Sequence, residues 1–141
     1  MNDSRDALRG LIAQRHYFVG WTALLLFLVL GALLEAMHGF KVGFYLDPDA
    51  KLRRELWRLA HAHGTLLAVV QLAFAAGLMH FGHWTVGRLK LVSFFLVDAA
   101  ILIPLGFFLG GLFATETDPW VGVYLVPLGA TLLIVAVVII C

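Results

Sequence analysis

Glu35 and His38 are the first residues in the sequence whose types and spacing could do chemistry. A carboxylate and an imidazole at i and i+3 lie one helical turn apart, as in carboxylate-bridged di-metal helix bundles. Imidazole binds iron, copper and zinc, and the added carboxylate favours the harder of these metals. A di-metal site needs a second such motif, and the sequence has only one. We therefore expect a single metal ion, or one axial ligand to a haem.

A second candidate pair, His61 and His63, begins the next apolar run. At 100° per residue the two side chains point about 160° apart, so a regular helix cannot aim both at one point. His61 shares its face with Gly64 and Gln71, which favours it as the inward ligand. His63 is expected to face lipid or a partner subunit. The candidate metal ligands are thus Glu35, His38, His61 and His63.

Acidic residues of a later connection belong to the same membrane face. Consecutive spans run in opposite directions, so the end of the first run, the start of the second and the third connection meet there. Glu116 and Asp118 lie in that third connection. We expect them to complete or orient the metal site as second-shell groups.

A plainer interpretation of these histidines also stands. Histidines near the ends of spans often hydrogen-bond at the interface, and a Glu35–His61 pair would simply join two helices. Two stacked haems do not fit, because His16 and His38 are 22 residues apart, or about 33 Å of helix. Both ligand levels would then lie at or beyond the interfaces, where we also expect His80 and His83.

Asp98 stands alone, about 12 Å inside the third apolar run. An ionisable residue at that depth is costly and is a functional candidate by default. It could handle protons, or pair with a charge on another subunit. The alternative is a carboxyl group bonded to a hydroxyl or an amide, with Gln71 as the expected partner.

The elements that must position these residues follow from composition. Of 141 residues, 62% are hydrophobic and only 13% are charged. Soluble domains are about half apolar and a quarter charged, so these values indicate a membrane protein and exclude a disordered chain. The only cysteine, Cys141, excludes a disulfide scaffold, and a net charge of +1 gives no reason to expect nucleic acid as a partner.

Four apolar runs, at 17–37, 59–79, 91–113 and 121–140, are each long enough to cross the bilayer. Backbone groups in lipid must be satisfied internally, which predicts helices. The connections are short, so we expect an all-α, four-helix up-down bundle forming a single domain over 1–141. Asp47-Pro48 resembles a helix start and opens a short amphipathic helix at the interface before span two.

Glycines are expected to mark the helix contacts. Gly20 and Gly31 lie within about 20° of each other on span one, which favours an inward stripe. Gly106 and Gly110 form a G-x-x-x-G motif on span three, typical of close helix packing.

The number of basic residues does not decide the orientation of the chain in the membrane, because five flank each side. Arg5, Arg9, Arg15, Arg88 and Lys90 flank one side, whereas the other side carries Lys41, Lys51, Arg53, Arg54 and Arg58. Because the first span often dominates, we favour two cytoplasmic termini, in a bacterial inner membrane.

The segment His61-Ala62-His63-Gly64-Thr65-Leu66-Leu67 is similar to His-x-His segments in membrane helices of haem–copper oxidases. The similarity covers seven of 141 residues, and no residue roles are carried over from it.

The sequence therefore predicts a small polytopic membrane protein, a subunit of a larger assembly, that binds one metal ion or haem for redox or electron-transfer chemistry. The alternatives are an accessory subunit without cofactor, packed on other membrane subunits or on copies of itself, and a proton-conducting element using Asp98. No nucleophile–base arrangement, phosphate-binding loop or C-x-x-C pair indicates an enzyme class.

Overall fold

The computed structural model describes residues 2–81 and 84–141, and within them the chain is helical without strands. The predicted interfacial position of His83 lies outside the described residues. The helices are α1 (Asn2–Gly39), α2 (Gly43–Leu46), α3 (Lys51–Phe81), α4 (Val86–Leu112) and α5 (Leu125–Ile140). Short 3-10 helices at Pro48–Ala50 and Val121–Tyr124 precede α3 and α5. Among the described residues, four segments are long and apolar enough to cross a membrane, so the predicted all-α bundle of four spans is confirmed.

The first helix begins earlier than the apolar run suggests. It starts at Asn2, and the segment able to span a membrane is Ser4–Gly39. His16 consequently lies inside this segment rather than at its edge. Apolar runs mark the hydrocarbon core, whereas a helix continues for as long as its backbone bonds and side-chain contacts permit.

The connection between spans one and two contains the predicted helix start. Asp47 precedes the first 3-10 helix, and its side chain accepts a hydrogen bond from the Asp49 N–H at 3.1 Å. Pro48 occupies the first position, where a missing N–H costs no helical bond. The amphipathic segment is present, but it is continuous with span two as the first turns of α3.

The long helices do not all touch one another. α3 packs against α1 and α4, and α4 packs against α5, while α1 contacts α4 only slightly. Over residues 2–81 and 84–141, α1 and α5 make no contact. The bundle is therefore open between its first and last spans.

Two arginines show that both chain ends lie at the same face. Arg9 near the start of α1 donates to the carbonyl of Leu78 near the end of α3, at 2.6 Å. Arg88 near the start of α4 donates through Nε to the carbonyl of Ile139 at the end of α5, at 2.8 Å. α1 and α4 thus run in one direction, and α3 and α5 in the other.

Glycines lie where helices approach closely. On α1, Gly20 lies against the Leu72 side chain and Gly31 against the His61 ring, so a Cβ at either position would overlap α3. On α4, Gly106 lies against Val126 of α5. Because glycine has no side chain, the backbone of α1 can lie close to α3, and that of α5 close to α4.

Candidate functional site

His61 lies between α1 and α3, with its ring directly against Gly31. Its Nδ1 donates to the carbonyl of Phe27 at 2.7 Å. Because a carbonyl can only accept, this bond places the proton on Nδ1 and the lone pair of the neutral ring on Nε2. The ring therefore acts as a link from α3 to the α1 backbone.

His63 points to a different neighbour. Its Nδ1 donates to the Leu59 carbonyl of its own helix at 2.9 Å, and its ring lies 4.9 Å from the Phe107 ring of α4. The side chain is half-buried. His61 and His63 consequently point to different neighbours of α3, as their spacing predicts, but His63 packs on Phe107 of α4 in the same chain, which the expected lipid or partner contact did not include.

The other predicted ligands do not converge on these histidines. Glu35 and His38 are exposed near the end of α1, and no hydrogen bond or ion pair in the described part of the chain joins them to each other or to His61. Glu116 borders a polar surface depression beside Arg53, while Asp118 accepts from the Thr117 hydroxyl within its own loop at 3.1 Å. In the described ranges, no group of three or more His, Cys, Asp or Glu side chains could hold a metal ion.

The polar site that the chain does build is a buried network across three spans. His16 of α1 and Gln71 of α3 are fully buried, and Ser93 of α4 is only 2% exposed. The His16 Nδ1–H donates to Gln71 Oε1, and the Ser93 hydroxyl donates to His16 Nε2 at 2.8 Å. Gln71 Nε2 in turn donates to the Leu96 carbonyl at 2.7 Å. Each step has one donor and one acceptor, so the network is satisfied with His16 neutral.

This network does not follow from the apolar runs, because they place His16 at the interface. A signal was present: His16 lies about 40° from Gly20 and about 60° from Gly31 on the α1 wheel, on the same inward stripe. Gln71 likewise shares the inward face of α3. A helix wheel shows that His16 and Gln71 both face inward. It does not show that they lie at the same level, which depends on the register of α1 against α3.

Asp98 faces outward from the bundle. Its neighbours on the same face of α4 are 40% to 54% exposed: Leu91, Phe94, Ile101 and Leu105. In the described chain, no side chain or backbone group hydrogen-bonds or ion-pairs with Asp98, itself half-buried. The expectation that Gln71 partners it is wrong, because Gln71 faces the opposite side of α4 and is bonded to His16 and Leu96.

Comparison with known proteins does not identify a family for this chain. No protein-family model, no curated protein and no solved structure matches the chain.

Proposed function

We propose that this protein is a subunit of a larger membrane assembly and that it packs on partner membrane subunits through the outward faces of its α1 and α5. The observation that carries the proposal is the open bundle. In the part of the chain that the structure describes, α1 and α5 do not touch, and only 11% of the residues in the most apolar stretch of each are buried, against 50% in α4.

Apolar exposure alone would not support partners, because lipid tails are as apolar as leucine. The arrangement of the helices is the stronger argument. In a closed four-helix bundle every helix has two neighbours, whereas here both end helices have essentially one. A partner helix beside α1 or α5 would supply the missing neighbour.

Photo-cross-linking in the native membrane tests this proposal. A photoreactive residue at Leu25 of α1 or Val138 of α5, which are 65% and 69% exposed, is expected to give discrete adducts of defined mass. The same probe at buried Leu96 is the control and should give none. Lipid adducts alone at both outward positions would contradict the proposal.

Metal or haem binding for electron transfer is a second candidate, favoured by the histidine tautomers. His61 and His63 each direct Nδ1–H to a backbone carbonyl, the arrangement that leaves Nε2 free to bind a metal. Since His61 is packed against Gly31, His63 is the better placed single ligand. Such a site would take one ligand from this chain and the rest from a cofactor or a partner.

An absorption spectrum and metal analysis of the purified protein test this second candidate. We expect bound metal or haem that is lost in His63→Ala and kept in His80→Ala, because His80 makes the same Nδ1–carbonyl bond but lies in the last turn of α3, near its opposite end. If neither metal nor haem co-purifies even with partner chains present, the redox function fails.

The finer location is also proposed: a bacterial inner membrane with both termini in the cytoplasm. The two ends share one face of the bundle, and the five-to-five tie in basic residues leaves the first span to decide. A fluorescent protein fused after Cys141 should fluoresce, and alkaline phosphatase fused at Glu116 should be active. The reverse pattern would invert the orientation.

A further inference from the structure

Asp98 and an aromatic groove on α1 are complementary features on two separate outward faces. The groove, about 380 Å³ in volume, is lined by Tyr17, Phe18, Trp21, Thr22 and Leu25. It is called the α1 groove below. Trp21 offers an indole N–H and Thr22 a hydroxyl, and Trp21 is 51% exposed. In the described chain neither polar group is hydrogen-bonded to another residue.

The two features lie at about the same depth in the membrane. Ser93 and His16 are hydrogen-bonded, which sets α4 and α1 level at these residues, and the two helices run in the same direction. Asp98 is five residues beyond Ser93, and Trp21 is five residues beyond His16. Each is therefore about 7.5 Å further along its helix.

One copy cannot bring the two together. The α1 groove lies on the side of α1 opposite its contact with α3, and Asp98 lies on the side of α4 opposite its contact with α3. The nearest polar groups inside the bundle, His16, Gln71 and Ser93, are already bonded to one another. The carboxyl group of Asp98 must find its partner outside the chain or face lipid alone.

A second copy of this chain satisfies the requirement directly. Two copies inserted in the same orientation place every residue at equal depth, so Asp98 of one is level with the α1 groove of the other. We propose that the chain self-associates in this head-to-tail way, with Asp98 hydrogen-bonded to Trp21 and Thr22 of the neighbouring copy. The contact rests on the proposed packing at the outward face of α1, and it identifies the partner at that face as the outward face of α4 in a second copy of the chain.

Cysteine cross-linking tests the geometry, in a Cys141→Ser background that removes the only native thiol. Phe94→Cys should cross-link to Phe18→Cys, and Ile101→Cys to Leu25→Cys, when separately mutated copies are mixed in one membrane. Each variant alone should not cross-link, because a head-to-tail contact brings different residues together. Cross-linking of Phe94→Cys with itself would indicate a two-fold contact and overturn the proposal, as would no cross-linking at all.

Energy transfer between copies labelled at Cys141 tests the chemistry. In vesicles of phosphatidylcholine and phosphatidylglycerol, wild-type transfer should fall as lipid dilutes the protein. Thr22→Val should weaken association about threefold, the average effect of one hydrogen bond between membrane helices, and Asp98→Leu about eightfold, because it removes two. Thr131→Val is the matched control, because its hydroxyl is already bonded to Pro127 of its own helix. Equal association of Asp98→Leu and wild type would overturn the proposal.

The two proposals fail in distinguishable ways. The vesicle experiment contains only this chain, so a monomer there overturns self-association. If photo-cross-linking in the native membrane still gives adducts with other proteins, the proposed assembly function stands. If neither experiment finds a protein neighbour, both proposals fail.

Discussion

At the scale of single residues, the buried network depends on one side chain, His16, that is hydrogen-bonded to two neighbours at once. His16 accepts from Ser93 and donates to Gln71. An apolar residue in place of any of the three therefore leaves a polar atom of its bonded neighbour unpaired. A hydrogen bond between membrane helices is worth only about 0.6 kcal/mol on average. The cost of an orphaned buried donor is larger, about 1–3 kcal/mol.

Gln71→Leu should therefore lower the free energy of unfolding by about 1–3 kcal/mol, since it leaves the His16 Nδ1–H without an acceptor. The measurement is reversible unfolding of the protein in bicelles. Gln14→Leu is the matched control, because Gln14 is exposed on α1. An equal effect of the two substitutions would show that the network does not stabilise the fold.

Substitution of Asp98, unlike that of Gln71, is expected to leave the stability of the monomer almost unchanged. It makes no hydrogen bond or ion pair in residues 2–81 and 84–141, so Asp98→Leu should change the unfolding free energy of the monomer by less than about 0.5 kcal/mol. The same bicelle unfolding, at a dilution where copies do not meet, provides the measurement. A large destabilisation would reveal a contact within the chain.

At the scale of elements, each of α1 and α3 packs an aromatic ring against a glycine of the other helix. Gly31 of α1 receives His61 of α3, and Gly64 of α3 receives Phe27 of α1. The His61–Phe27 hydrogen bond lies between these two contacts. Antiparallel helices held this way have a fixed register, which also places His16 beside Gln71.

Gly64→Ala should destabilise this pair by about 1–3 kcal/mol, because the new methyl group would overlap the Phe27 ring. Gly77→Ala on the same helix has open space around it and should be neutral or stabilising by about 0.4–1 kcal/mol. Thermal unfolding in detergent compares the two variants. Indistinguishable melting temperatures would contradict close packing at Gly64.

The end of α5 depends on an arginine from another helix. Arg88 donates to the Ile139 carbonyl and its guanidinium lies 5.2 Å from the centre of the Trp84 ring. A cation at a helix C-terminus also interacts favourably with the helix dipole.

Arg88→Gln should therefore increase amide hydrogen exchange in residues 137–141. Lys90→Gln, an exposed basic residue on the same turn, is the control and should leave exchange unchanged. Unchanged exchange in both variants would show that the last turn of α5 is stable without Arg88.

At the scale of the whole molecule, the spans differ in how much of each is covered. The proportion of buried residues in the most apolar stretch is 50% in α4, 39% in α3 and 11% in both α1 and α5. Local stability follows burial and the number of neighbours. The centre of the molecule is thus the α3–α4 pair, with the first and last spans at its edges.

Hydrogen exchange of the detergent-solubilised monomer should follow this order, with α4 the most protected and α1 and α5 the least. Mass spectrometry of peptides from each span provides the measurement. Protection of α5 equal to that of α4 would contradict an open bundle. Added protection of α1 in concentrated vesicles is expected if copies associate.

The four spans could be predicted from the sequence because apolar runs of about 20 residues report directly on bilayer thickness. The glycine contacts on α1 could be located because small residues recur on one helical face. His16, Gln71 and Ser93 could not be joined, since their contact depends on the register of three helices. The outward direction of Asp98 likewise depends on which faces of α4 are taken by α3 and α5.

The His16 network also bears on how the chain is made. α1 enters the membrane before α3 and α4 have been synthesised, so its buried histidine begins without either of its eventual partners. Until those spans arrive, an imidazole in lipid would carry the cost of an unpaired polar group. We therefore expect release of the first span into lipid to become more favourable once the second and third spans can supply these partners.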